Sequence, residues 1–443
     1  MSQLEERRLG ALGRNFDQYF GVSEHGSTIG RECTAGFTTF LAMAYIVVVN
    51  PGILSAAGMD FGAVFVATCL AAALGTLIMG LVANYPVGLA PGMGQNAFFT
   101  YAVVIGTGHT WQVALGAVFL SGILFILISI LPIREMVINA IPRNLKLGIA
   151  AGIGLFLAFI GLQNAGVVID NSATLVAFGE LTNFGPIAAI VGFILIAALT
   201  ARNVSGAVLI GMLSVAAVAW ITGNAEFAGV VSLPPSPTPV FLQLDIFGAL
   251  ELSLLTIILS LLLVDLFDTA GTLVGVATSG NLLDQEGKLP RLRRALLADS
   301  SATLAGSLFG TSSTTSYLES ASGVQAGGRT GLTAVVVGIC FLLTLVFAPL
   351  AQSVPAYASA AALLFVASIM VKSLAEVTWN DLSEACPAAV TTVSIPLSYS
   401  IADGIGLGFV CYVSIKVIAG RANECSLAIW LLAALFALKF TVL

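Results

Sequence analysis

The sequence predicts an all-α integral membrane protein of about 14 transmembrane helices, folded as a seven-plus-seven inverted repeat. Three features predict it. The 443 residues are 58% hydrophobic and only 9% charged, with a mean hydropathy of +1.01. A soluble domain carries about 25% charged residues, so most of this chain lies where charge is costly, which is a bilayer. Apolar stretches long enough to cross recur along the whole chain, with Lys and Arg gathered on one side of them. The third stretch of each set is interrupted by Pro, Gly, Ser and Thr at the corresponding place.

A span needs roughly 20 apolar residues, fewer where a broken helix is buried in protein. On that basis the first set is 33–56, 61–84, 91–105, 111–131, 143–164, 184–201 and 205–222. The second is 247–275, 291–309, 313–326, 331–350, 355–373, 383–399 and 402–419. The expected organisation is therefore a polar, amphipathic, cytoplasmic N-terminus (1–32), a first seven-helix repeat (33–222), a proline-rich external linker (223–246), a second repeat (247–420) and a C-terminal apolar helix (421–443). The N-terminus lacks the apolar core and cleavage site of a signal peptide, so the first span serves as an uncleaved insertion signal.

Lys and Arg concentrate on the cytoplasmic side of membrane helices, which tests this threading. With the N-terminus inside, Arg7, Arg8, Arg14 and Arg31 fall on that side, then Arg134, Arg143 and Lys146, then Arg202. Lys288, Arg291, Arg293 and Arg294 follow, and finally Arg329, Lys372, Lys416 and Arg421. Lys439 alone would be external, and only if the last stretch crosses. Loops 165–183 and 223–246 contain neither Lys nor Arg. Seven is odd, so two successive sets insert with opposite orientation, as in many secondary transporters. The protein is expected as a multi-pass protein of the cell (inner) membrane.

The interrupted segments read NYPVGLAPGMGQNAFFTYAVV (84–104) and GSLFGTSSTTSYLESASGVQAGG (306–328). Pro and Gly free backbone groups that lipid cannot satisfy, so this backbone must be buried or line a cavity. The run TSSTTS (311–316) offers N-caps for a short helix carrying Glu319. Two such half-helices, the third and the tenth, with short extended segments beside them, point to a transporter's binding site near the midplane.

Three acids stand inside apolar segments: Asp265, Asp268 and Glu319. Each costs about 2.5–3.5 kcal/mol at a helix centre. Asp265 and Asp268 are spaced i, i+3 and share a helical face. Two carboxyl groups so close in a low dielectric cannot both ionise cheaply, so the pair suits uptake and release of a proton.

Other chemistries find no footing. The six cysteines and two histidines (His25, His109) show no metal-ligand spacing, no basic run suggests nucleic acid, and no cofactor is expected. An aspartyl intramembrane protease needs acids on facing helices, whereas Asp265 and Asp268 share one. A serine type needs a buried base, and neither histidine lies mid-span.

The motifs TAGFTTFLAMAYIVVVNPGILSAAGMD (34–60), APGMGQNAFF (90–99), DLFDTAGTL (265–273) and GTSSTTSYLESASGVQAGGRTGLTA (310–334) resemble the AzgA-like branch of the nucleobase–cation symporter-2 family, over about 25–440. The resemblance implies fourteen helices divided into a core and a gate domain. It also implies import of adenine, guanine or hypoxanthine with protons. It carries substrate contact over to Asp265, Glu319 and Asn96, a pocket aromatic to Tyr317, and the second acid of the eighth helix to Asp268. Two features depart from the family pattern: Gln95, where an aliphatic residue is usual, and the additional stretch 426–443.

The chemistry of a purine fits these residues, since its edge carries N–H donors and N or C=O acceptors. Glu319 can accept, Asn96 can donate and accept, and Thr315 adds a hydroxyl. Phe98 and Tyr317, with Phe99 and Tyr101 beside them, are candidates to stack on the ring; core packing is an equal reading for the Phe residues. Expected partners are a purine nucleobase, a proton and membrane lipid. A homodimer is compatible with the sequence. The alternatives are an anion transporter or a channel of related fold, the first disfavoured by three acids at the site.

Overall fold

The computed structural model describes residues 17–131, 141–284 and 289–442. Arg7, Arg8, Arg14, Arg134, Lys288 and the first half of the 1–32 segment lie outside the described residues. Among the described residues, nine helical stretches are long and apolar enough to cross a membrane, and 207–221 and 427–441 are shorter apolar helices.

Helix α1 (Ile29–Met43) opens on a Thr28 cap and breaks at Ala44–Tyr45 before α2 (Ile46–Ser55), which contains Pro51. Asp60 caps α3 (Phe61–Ile78), which ends in a π-helical turn, Met79–Ala83, stopped by Asn84 at φ 53°. Strand β1 (Leu89–Pro91) leads into the short α4 (Met93–Ala97), continued as a π-helix over Phe98–Gly106. Helices α5 (Trp111–Ile130) and α6 (Arg143–Asn164) follow, then a β2–β3 hairpin (Val168–Asn171, Leu175–Phe178). Helices α7 (Phe184–Ala201) and α8 (Ala207–Ile221) complete the first half.

The second half begins with α9 (Ile246–Ala249), α10 (Leu255–Ser279) and α11 (Leu292–Phe309). Strand β4 (Thr314–Ser316) precedes the short α12 (Ser320–Gln325). Then come α13 (Gly331–Thr344), α14 (Ala348–Gln352), α15 (Ala356–Val371), α16 (Leu382–Ser398), α17 (Ile401–Ile418) and α18 (Leu427–Val442).

The helices pack into two groups. One holds α1–α5 and α9–α14; the other holds α6–α8 and α15–α18, with few contacts across the seam between them. Helix α18 runs antiparallel along α17: Phe436 stacks on Phe409 with centroids 6.3 Å apart, and Lys439 Nζ lies 2.7 Å from Asp403 Oδ1.

The structure corrects three expectations. The stretch expected at 247–275 is two helices, because polar Glu251 and the 3-10 turn Leu252–Leu254 separate α9 from α10. The run TSSTTS does not cap a helix; its second half is strand β4, and α12 starts after Glu319 without a side-chain cap. The count of three acids inside apolar segments is short. Asp299 is fully buried in α11, and Lys416 is fully buried in α17 with Nζ 2.8 Å from Glu384 Oε1 and 2.7 Å from Glu424 Oε2.

Candidate binding site at the crossing of the two interrupted segments

The two interrupted segments meet. Strands β1 and β4 pair antiparallel, with Leu89 opposite Ser316, Ala90 opposite Thr315 and Pro91 opposite Thr314. Gly92 N donates to Ser313 O at 2.9 Å and Tyr317 N to Gly88 O at 3.0 Å, extending the crossing at both ends. Gly88 N donates to Ser320 Oγ at 3.0 Å. A Cβ at Gly92 would fall 2.9 Å from the Thr315 methyl, so the close approach of the two chains requires glycine there. Backbone that lipid could not satisfy is thus satisfied inside the protein.

The acids are arranged around this crossing. Asp265 is fully buried; its Oδ1 accepts from Gln95 Nε2 at 3.2 Å and its Oδ2 from Thr303 Oγ1 at 2.8 Å. Thr303 Oγ1 also lies 2.9 Å from the carbonyl of Thr314. Asp299 accepts from Thr269 Oγ1 at 2.7 Å and from Ser316 Oγ at 2.9 Å, and Thr269 is 2.9 Å from Thr315 Oγ1. A hydroxyl chain, Thr315–Thr269–Asp299, therefore runs beside the Gln95–Asp265–Thr303 set.

On the other side of β4, Glu319 Oε1 accepts from Tyr45 Oη at 2.6 Å, and Tyr317 Oη donates to Pro91 O at 2.6 Å. Asp268 and Tyr317 both lie within electrostatic reach of Glu319. Asp268 differs from Asp265 and Asp299 in having an exposed surface in the structure. It heads a face of α10, with Gly271, Gly275 and Thr278, that is exposed down to the end carrying residues 17–28 and 279–284. Leu318, beside Glu319, is 46% exposed and borders the same face at Gly275.

The structure thus brings Asp265, Thr315, Tyr317, Glu319 and Asp268 to one crossing. It places two candidates differently. Asn96 is fully buried and accepts from Ser312 Oγ, while Gly94 of the same helix packs against Ile153 of α6. Phe98 is 1% exposed within the apolar core, where core packing occupies the ring.

Four residues of the cluster went unpredicted: Tyr45, Thr269, Thr303 and Asp299. Asp299 sits among Arg293, Arg294 and several Ser and Thr, so its helix reads as a polar segment end. Tyr45, a polar-tipped ring within an apolar run, was the available signal. Gln95, marked only as a departure from the family pattern, proves to hold Asp265.

Comparison with known proteins agrees with this architecture. A model of the permease family (Xan_ur_permease) matches residues 30–407. The chain is 49% identical over 423 residues to the adenine permease AdeP of Escherichia coli, covering 96% of this chain and 95% of that protein. It is 44% identical over 432 residues to the guanine/hypoxanthine permease PbuO of Bacillus subtilis, covering 96% and 100%. Among solved structures, the transmembrane domain of the cyanobacterial bicarbonate transporter BicA superposes with a TM-score of 0.65 at 17% identity, covering 84% of this chain and 96% of that one. That last likeness shows a shared fold.

Proposed function

From the premise that the chain belongs to the permease family, in its AzgA-like nucleobase–cation symporter branch, we propose that it is a secondary active transporter importing purine nucleobases by proton symport. The nine candidate spans make it a multi-pass membrane protein. The proposal extends to fourteen helices in a seven-plus-seven inverted repeat. The α1–α5/α9–α14 group acts as the core, the other group as the gate, and α18 lies outside the repeat. The N-terminus is cytoplasmic and the membrane is the cell's inner one.

The observation that carries the proton is the hydroxyl of Thr303. It has one proton and two acceptors, Asp265 Oδ2 at 2.8 Å and Thr314 O at 2.9 Å, and Thr314 O faces away from β1 because the Pro91–Thr314 pair falls between the bonded pairs of the ladder. The set closes if Asp265 carries its own proton and donates to Thr303, which then donates to Thr314 O. Asp268, open to one side, is the nearest entry for that proton. The base would lie against the crossing, with Glu319 accepting from ring N–H groups and Tyr317 beside it.

The shared fold with a bicarbonate transporter favours anion transport as the second reading. An anion would have to approach Asp265, Asp268, Asp299 and Glu319, and like charges so placed disfavour it. Labelled adenine, guanine and hypoxanthine uptake in transport-deficient cells, with sulfate and bicarbonate arms, tests the choice. Uptake of a purine competed by other purines supports the proposal. Uptake of an anion with no purine signal overturns it.

A further inference from the structure

The two helix groups touch at a few levels along the seam between α4 and α6. Midway, Gly94 lies against Ile153 so closely that no Cβ would fit. Seven residues back along α6, roughly 10 Å toward one end, Lys146 Nζ stands 5.2 Å from the centre of the Phe267 ring. Beside it the α10 face is open from Asp268 onward. Toward the other end the seam is filled with rings. Tyr101, on the π-helical continuation of α4, meets Tyr399 with centroids 6.4 Å apart and ring planes at 67°.

Tyr399 is itself held in a socket. Phe156 and Phe159 meet it edge-on at 5.7 and 5.4 Å, and its hydroxyl is bonded to the side-chain oxygen of Gln163. Phe156, Phe159 and Gln163 follow one another at i, i+3 and i+7 along a single face of α6. Tyr399 reaches that face because it caps α16 with a left-handed backbone, φ 55°. A residue with a side chain keeps that conformation only where its surroundings hold it.

We propose that the contact of Tyr101 with Tyr399 is the barrier that shuts the binding site off from the end opposite the open α10 face, and that Tyr101 must part from Tyr399 for a substrate to enter from there. Tyr399, Phe156, Phe159 and Gln163 all belong to one helix group, and Tyr101 belongs to the other. When the groups shift, the Tyr101–Tyr399 contact breaks and the socket stays whole. Parting two rings strands no charge, and the Tyr399 hydroxyl keeps its Gln163 partner throughout. The proposal rests on the transport reading, but its test reads access rather than purine uptake, so the two can fail separately.

The test uses the full chain with its native cysteines replaced and a single reporter introduced by Ile153→Cys, on the α6 face that meets Gly94. Intact cells are treated with a membrane-impermeant maleimide. Tyr101→Ala and Tyr399→Ala should each raise the labelling rate about tenfold, in line with losing edge-on ring contacts. The double variant should fall well short of the product of the two singles, because both delete the Tyr101–Tyr399 contact. Tyr399→Phe, which keeps the ring, should label like the parent. If an alanine variant does not reach the membrane, Tyr101→Leu removes the ring while keeping a bulky apolar side chain, and should also label faster. Unchanged labelling in the variants that reach the membrane would overturn the proposal, as would additive effects of the two alanines.

Discussion

Each buried carboxylate here is defined by its donors. Glu319 receives one phenol, from Tyr45 at 2.6 Å, and keeps capacity for more, whereas Asp265 and Asp299 each have two side-chain hydrogen-bond partners. That spare capacity is why Glu319 is the anchor proposed for the base. Glu319→Gln replaces one acceptor oxygen by an N–H that would face the Tyr45 hydroxyl and the ring donors. Loss of a charge-assisted bond costs about 1.5–3 kcal/mol, so binding of the base should weaken at least about tenfold while membrane levels hold. Isothermal or competition binding at near wild-type affinity would remove Glu319 from the anchor role. Asp265, Asp268 and Glu319 were legible in the sequence because a charge in an apolar run stands out. Asp299, with arginines and hydroxyls around it, did not, and neither did Tyr45 or Thr303, whose roles come from partners far away in the chain.

At the level of elements, helix bounds were the most legible feature. The limits of α6 and α7 match the expected 143–164 and 184–201, because each holds one unbroken apolar run with polar residues at its ends, Arg143, Asn144 and Lys146 and then Gln163 and Asn164 in α6. The interruptions were legible as places, through Pro, Gly and Ser/Thr clusters, but the pairing of β1 with β4 was not. Register depends on which residues of two distant segments meet, and neither segment alone records it. Gly92 is the position where that pairing is tightest. Gly92→Ala brings a methyl to 2.9 Å from the Thr315 methyl, and Thr315 cannot yield without releasing Thr269. Uptake should fall several-fold at similar membrane abundance; unaltered kinetics in this variant would show that the crossing tolerates spreading. Helix α18 gives a second prediction. It lies along α17 from Phe409 to Asp403 through Phe436 and Lys439, so it crosses wherever α17 does. The C-terminus should therefore lie on the side opposite the N-terminus. Fusing a reporter that is active only in the cytoplasm to each end should give signal at the N-terminus alone; signal at both ends would place α18 on the surface.

For the whole molecule, the proposed transport would move one group against the other across the sparse seam between them. One end of that seam is filled by the Tyr101–Tyr399 rings, while at the other the Asp268 face is open. A site exposed to one side at a time couples two solutes when each changes the other's binding. In the proposed symport Thr303 would supply that link: a proton on Asp265 would complete the bonds of Thr314 O, and Thr314 lies in the strand that ends beside Tyr317 and Glu319. Protonation would thus order the crossing against which the base binds. In vesicles, uptake should follow an imposed pH gradient in the absence of sodium and collapse with a protonophore. Asp268→Asn should keep binding of the base but lose gradient-driven accumulation, because an amide at the open face no longer relays a proton to Asp265. Sodium-dependent, protonophore-insensitive uptake would refute this coupling and turn attention to the oxygens of the 311–316 run as ligands for a cation.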